Sequence, residues 1–240
     1  MKPKKMNVEI WSDVTCTHCY TAKRKFEQAL NRFKDKDKIT ITWRSFELAP
    51  GFKTNPDSRL PDFLAKLQGI SIEQSMHMVN QLTQSVKEIG LEYHLEKTIP
   101  ANSFHAHRLS HLAKDNQLQE HAEERLFRAY FTEGKNIDDF PTLIELGSEI
   151  ELDAIEVRSM LESNRYETEV QHDLEAAAKA GIRSIPHFVF NGQIHSSGAQ
   201  ENQVYLDLLE RSFAQWQSEN PPTPEENVAG LSCKIGEICD

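Results

Sequence analysis

Val8-Glu9-Ile10-Trp11-Ser12-Asp13-Val14-Thr15-Cys16-Thr17-His18-Cys19 is the stretch that decides the fold. Val8 to Trp11 reads as a short strand, being rich in β-branched and aromatic residues, and Ser12-Asp13 opens a turn. From Cys19 onward apolar residues fall at Ala22, Phe26, Ala29, Leu30 and Phe33, the three- and four-residue steps of one helix face. Ile39-Thr40-Ile41-Thr42-Trp43-Arg44-Ser45-Phe46 reads as a second strand. The opening order is therefore strand, Cys-x-x-Cys, helix, strand.

Outward from this unit the pattern changes. Gly51 to Leu60 is a polar loop, and from about Pro61 to Ala180 nearly everything reads as helix. Ser71-Ile72-Glu73-Gln74 is a capping box, followed by Ile72, Met76, Val79, Leu82, Val86 and Ile89 at helical spacing, with Gly90 as the stop. Further helices are predicted near 103–115, 117–131, 141–150, 154–161 and 166–180, with Gly134 and Gly181 at C-cap positions. Strand character returns at His187-Phe188-Val189-Phe190, Asn191-Gly192 predicts a type I′ turn, and Gln193-Ile194-His195 is the return strand. A last helix runs from about Glu201 to Trp216, and Pro221, Pro222 and Pro224 mark a tail. The expected architecture is one α/β domain split by a large α-helical insertion. Its parts are residues 1–58, the insertion at 59–180, the second half of the domain at 181–217, and a cysteine-containing tail at 218–240.

Composition narrows the function. The 240 residues carry a net charge of −10, which disfavours nucleic acid and anionic membranes as partners. No run approaches the roughly 20 apolar residues of a membrane span. The lysines of the first ten residues are followed by no apolar segment, so a cytoplasmic location is expected. The four cysteines form two close pairs, Cys16/Cys19 and Cys233/Cys239. In a reducing compartment such pairs are catalytic, redox-sensing or metal-binding more often than structural.

Disulfide exchange needs one thiolate that attacks and a second thiol that resolves the mixed disulfide. A Cys-x-x-Cys opening a helix meets both needs. Cys16 would sit at the helix N-terminus, where unpaired backbone N–H groups and the helix dipole favour a thiolate, and Cys19 one turn along. His18 places a polar, potentially cationic group beside Cys16, which points to an oxidising couple. The competing reading is half of a zinc site, but four ligands are required and the other cysteines are distant. Ser184-Ile185-Pro186-His187 puts a proline directly before a strand. Either a cis bond facing the dithiol, with the Ile185 backbone free to pair with an extended substrate, or an ordinary trans proline fits that spacing.

These residues resemble a known family. CTHCY before a helix, with GIRSIPHFVFNGQIHSSGAQ near the C-terminus, is similar to the DsbA-like thioredoxin superfamily, and IPANSFHAHRLSHLA with the SSGAQ turn resembles its FrnE branch of dithiol–disulfide oxidoreductases and isomerases. The resemblance covers about residues 7–216. It implies a thioredoxin domain with a helical insertion, Cys16 as nucleophile, Cys19 as resolving cysteine, Pro186 as the cis-proline, and no cofactor beyond glutathione as an electron partner. Family members commonly have Pro-Trp between the cysteines. Thr17-His18 departs from that and is closer to the oxidising DsbA type. The resemblance extends to kappa-class glutathione transferases and chromene-carboxylate isomerases, which use serine at the position of Cys16 and would have no task for Cys19.

Four secondary features remain. His105, His107 and His111 lie on one helix, but without an intervening acid they read as packing or surface histidines rather than metal ligands, and no metal is expected. The family resemblance implies that His107 and Arg108 border the cleft, where they would receive a carboxylate or glutathione. Asp13 caps the turn before the dithiol or carries a proton. Cys233 and Cys239 are a candidate second redox disulfide. Expected partners are disulfide-containing proteins or peptides, or glutathione. The alternative to an enzyme is a thiol sensor or chaperone-like binder.

Overall fold

The computed structural model describes residues 4–221. Met6–Ser12 (β1) leads through a tight turn into Thr17–Arg32 (α1), and Ile39–Ser45 (β2) returns parallel to β1, with Ile10 beside Trp43. Parallel neighbours need a crossover, and α1 supplies it. The remaining sheet comes from the other end of the chain. His187–Phe190 (β3) runs antiparallel to β1, with Ile10 opposite Phe188, and Ile194–Ser197 (β4) pairs with β3. The order is β2-β1-β3-β4. Asn191 and Gly192 both have positive φ, 51° and 67°, as a type I′ turn requires.

Between the two halves lie Leu60–Gln68 (α2), Ile72–Ser85 (α3), Phe104–Asp115 (α4), Gln119–Phe131 (α5), Phe140–Glu149 (α6), Ala154–Leu161 (α7) and Glu167–Lys179 (α8). Asn202–Glu219 (α9) closes the described chain and packs on α1. The Ser71 capping box forms as read, with the Ser71 hydroxyl accepting from the Gln74 N–H and the Gln74 side chain from the Ser71 N–H. Two expectations about helix extent change. The helix from Ser71 ends at Ser85, and a separate 3₁₀ turn covers Lys87–Ile89, because the Val86 carbonyl is taken by both Ile89 and Leu91. Leu91 to Ser103 is not helical: this loop inserts Tyr93 and Leu95 into the core.

The sheet is covered on both faces. On one, Phe26 of α1 packs against Phe188, Phe190 and Tyr205 of α9. On the other, the Trp11 indole donates to the Asp173 carbonyl of α8, 3.1 Å away. The edge strand β2 is blunted by Gln119 of α5, whose side chain accepts from the Trp43 N–H and donates to the Trp43 carbonyl. Covering an edge in this way removes a free pairing surface. One buried core runs through the sheet and the insertion together, including Phe26 and Phe188 as well as Leu109 and Phe127.

Candidate active site

Cys16 is the N-cap of α1 and lacks the side-chain oxygen that usually fills that place. Its own carbonyl accepts the Cys19 N–H at 3.0 Å, which starts the helix. The first N–H groups of a helix have no intrahelical acceptor, and the Cys16 sulfur draws on those of His18 and Cys19. Cys16 and Cys19 are not joined by a disulfide; Cys16 is 7 % exposed and Cys19 1 %. The Cys16 thiol is held below its ordinary pKa, chiefly by the Cys19 side chain donating to it, with burial and the Asp13 charge opposing and the two backbone N–H groups assisting. Cys19 is pushed well above the ordinary range, first by burial and then by sharing its proton with Cys16. The pair thus divides into Cys16, whose anion is favoured at the helix end, and Cys19, a more deeply buried thiol that supports it.

The turn carrying Cys16 is fastened from below. The Asp13 carbonyl accepts the Cys16 N–H at 3.0 Å, and the Asp13 carboxylate accepts the N–H groups of Thr15 (2.9 Å) and Leu48 (2.7 Å). Asp13 therefore caps the turn and ties it to the loop after β2. From above, the Tyr93 hydroxyl donates to the Thr17 carbonyl at 3.0 Å, and Tyr20 stacks on Phe127 of α5. Lys23, one turn beyond Cys19, is buried among the carboxylates of Glu27, Glu120 and Glu124. These contacts lock the helix that presents the dithiol to the insertion.

The Ile185–Pro186 bond is cis. Trp11 is opposite His187, so Pro186 lies at the same end of the sheet as the turn that follows β1. The Pro186 carbonyl accepts from Gly198 at 2.8 Å, while the Ile185 N–H and carbonyl have no hydrogen-bond partner among the described residues. His18 is exposed, and beside it a groove of about 750 Å³ runs down α1 between α3 and the start of α9, lined in part by Thr21, Gln28, Leu82 and Asn202.

Other expected site residues go elsewhere. Arg108 does not border a cleft: it is 1 % exposed, and its guanidinium donates to the carbonyls of Met160, Leu161, Ser163 and Arg165, closing the C-terminal end of α7. The fifth N–H meets His105 Nδ1 at 3.1 Å, so no donor remains for a substrate carboxylate. His107 is also buried, with Nε2 donating to the Phe46 carbonyl at 3.0 Å and lying 3.9 Å from Asp13 Oδ1. Burial first, then His111, outweighs Asp13 and holds its pKa below the ordinary value, so it is a neutral buttress behind the turn. His111 bonds Ser45 Oγ (3.1 Å) and Asp173 (3.2 Å). No cluster of three or more metal-binding side chains occurs among the described residues. Cys233 and Cys239 lie outside the described residues. Sequence reading missed Tyr93 and the pairing of Lys23 with Glu120 and Glu124, because these partners are about 70 to 100 residues away in the chain.

The DSBA-like thioredoxin domain model matches residues 7–210. A probable DsbA oxidoreductase from Streptomyces coelicolor superposes with a TM-score of 0.81 at 32 % identity, covering 98 % of this chain and 96 % of the other. The uncharacterized protein YwbO of Bacillus subtilis (strain 168) is 27 % identical over 203 residues, 83 % of this chain and 94 % of that protein. The cytosolic disulfide reductase DsbM of Pseudomonas aeruginosa, whose structure is also known with GSH, shares the fold at a TM-score of 0.55 and 16 % identity, with 89 % and 98 % covered.

Proposed function

This chain belongs to the DSBA-like thioredoxin domain family, and from that premise we propose that it is a thiol–disulfide oxidoreductase with Cys16 as nucleophile and Cys19 as resolving cysteine. The observation that carries the reading is the placement of Cys16 at the N-cap of α1, its sulfur on backbone N–H groups, with Cys19 buried beneath it. The Cys16 thiolate attacks a substrate disulfide, a Cys16–substrate disulfide forms, and the substrate's second sulfur leaves and takes up a proton. Cys19 then loses its proton, attacks Cys16, and releases the substrate's first sulfur as a thiol. Run backwards, the Cys16–Cys19 disulfide oxidises a dithiol.

The free backbone groups of Ile185, next to cis Pro186, supply a pairing edge for an extended peptide. Disulfide-bearing peptides or glutathione are the substrates this edge suits, and His18, exposed at the mouth of the groove, would meet them first. Among the described residues no helix is long and apolar enough to cross a membrane. A cytoplasmic enzyme with glutathione as electron partner is part of the proposal.

The test is a pair of variants assayed by insulin reduction and by intact-mass analysis. Cys16→Ser is expected to abolish turnover. Cys19→Ser is expected to accumulate a mixed disulfide on Cys16. Full turnover by Cys16→Ser would overturn the assignment.

A further inference from the structure

Ser12 ends β1 with its side chain buried, and its Oγ has no hydrogen-bond partner among the described residues. An unpaired buried hydroxyl lowers stability, so its presence next to a reactive centre calls for a reason. Its direction follows from strand parity. Ile10 opposes Phe188, which packs on Phe26 of α1 and Tyr205 of α9. Side chains alternate along a strand, so Ser12 points to the same layer as Ile10, at the end of β1 next to the start of α1. Trp11 between them points the other way, to α8. On that side lies Cys19, whose anion the Ser12 hydroxyl favours.

We propose that the Ser12 hydroxyl is a hydrogen-bond donor held for the Cys19 thiolate, and that it accelerates the resolving step. The proposal rests on the dithiol-exchange reading above. A neutral thiol is a weak acceptor, and in the resting pair the Cys19 proton is committed to Cys16. Resolution changes this. Once Cys16 is bonded to substrate, Cys19 gives up its proton and becomes a buried anion before it attacks the Cys16 sulfur and expels the substrate thiolate. A hydrogen bond to an anion is far stronger than one to a thiol, so the Ser12 bond is made as the charge develops. Such an interaction raises the rate of the step rather than the affinity for substrate.

The other groups facing Cys19 leave this task open. The Asp13 N–H assists the same thiolate and Cys16 opposes it. The Tyr93 hydroxyl donates to the Thr17 carbonyl, and the Tyr205 hydroxyl accepts the Gln200 N–H. Burial holds both phenols well above their ordinary pKa, so they stay neutral beside the sulfur.

The experiment is stopped-flow reaction of the reduced protein with 5,5′-dithiobis-(2-nitrobenzoate), across pH. The first thionitrobenzoate is released when Cys16 forms the adduct and the second when Cys19 resolves it. Ser12→Ala is expected to slow the second phase about tenfold and move its pH midpoint upward, leaving the first within about twofold. Ser12→Thr, which keeps a hydroxyl, is expected to recover the second phase. The proposal is overturned if Ser12→Ala leaves the second phase and its midpoint unchanged, if both phases slow alike, or if Thr is as slow as Ala. Absence of any first phase in the unaltered protein would instead remove the dithiol reading itself.

Discussion

Replacing Glu123 by Gln is expected to stabilise the protein by about 2 to 3 kcal/mol more at pH 8 than at pH 5. Glu123 lies on α5, 3 % exposed, and its carboxyl accepts from Ser110 Oγ at 2.6 Å. Burial pushes its pKa up to about 7, with the Ser110 bond opposing. An unfolded glutamate titrates near pH 4.3. A carboxyl raised on folding is fully compatible with the native state below the unfolded value. As pH rises from there to the folded value, the unfolded chain releases a proton that the native chain keeps. By linkage that asymmetry removes about 1 kcal/mol by pH 5 and about 4 kcal/mol by pH 8, beyond which it is constant. Gln imitates the protonated carboxyl, keeps the acceptor for Ser110 and does not titrate, so the pH-dependent loss should vanish. The assay is urea unfolding of both proteins at pH 5, 6, 7 and 8. A gap between them that does not widen with pH would refute the placement of Glu123 as a buried, neutral acid.

Three further expectations follow from other contacts. Iodoacetamide should modify Cys16 with a pH midpoint below that of an ordinary thiol while Cys19 stays protected, because the Cys19 thiol and the helix N–H groups favour the Cys16 anion; equal labelling of both by peptide mapping would contradict this. Asp173→Asn should cost about 3 kcal/mol at pH 7, the lower end for a broken buried pair because Arg44 keeps Glu9. Although burial opposes it, His111, the Ser45 N–H and Arg44 hold Asp173 below the ordinary carboxylate range. Its contribution is therefore present above about pH 4 and is lost as pH falls through its lower folded value, so denaturation curves of the two proteins should converge in acid. Gly134→Ala should destabilise by at least about 1 kcal/mol in thermal unfolding, since φ is +67° and a Cβ would come within 2.8 Å of Lys97 Cβ and 2.9 Å of its carbonyl oxygen.

Local signals proved reliable where one short segment suffices to state them. The Ser71 capping box, the Asn191-Gly192 turn and the helix behind Cys19 each depend on residues within a few positions of one another, and each forms as the sequence suggests. Helix lengths were less legible, because Leu91 to Ser103 leaves the helix to bury Tyr93 and Leu95, and burial is not a local property. Family resemblance misplaced Arg108 for a related reason. An arginine near a helix start looks available for a ligand, but here the unpaired carbonyls at the end of α7, some 50 residues on, take its donors.

The sequence by itself determined the dithiol and its place between strand and helix, since those depend on spacing of two and on periodicities of two and 3.6. Only the tertiary structure decided how deeply each sulfur is buried and which distant groups bear on it. Cys16 and Cys19 are equivalent in composition. They differ because one lies at the unsatisfied end of a helix and the other is buried one turn further in, 1 % exposed. Electrostatic energy depends on distance and burial, and neither can be read along a chain.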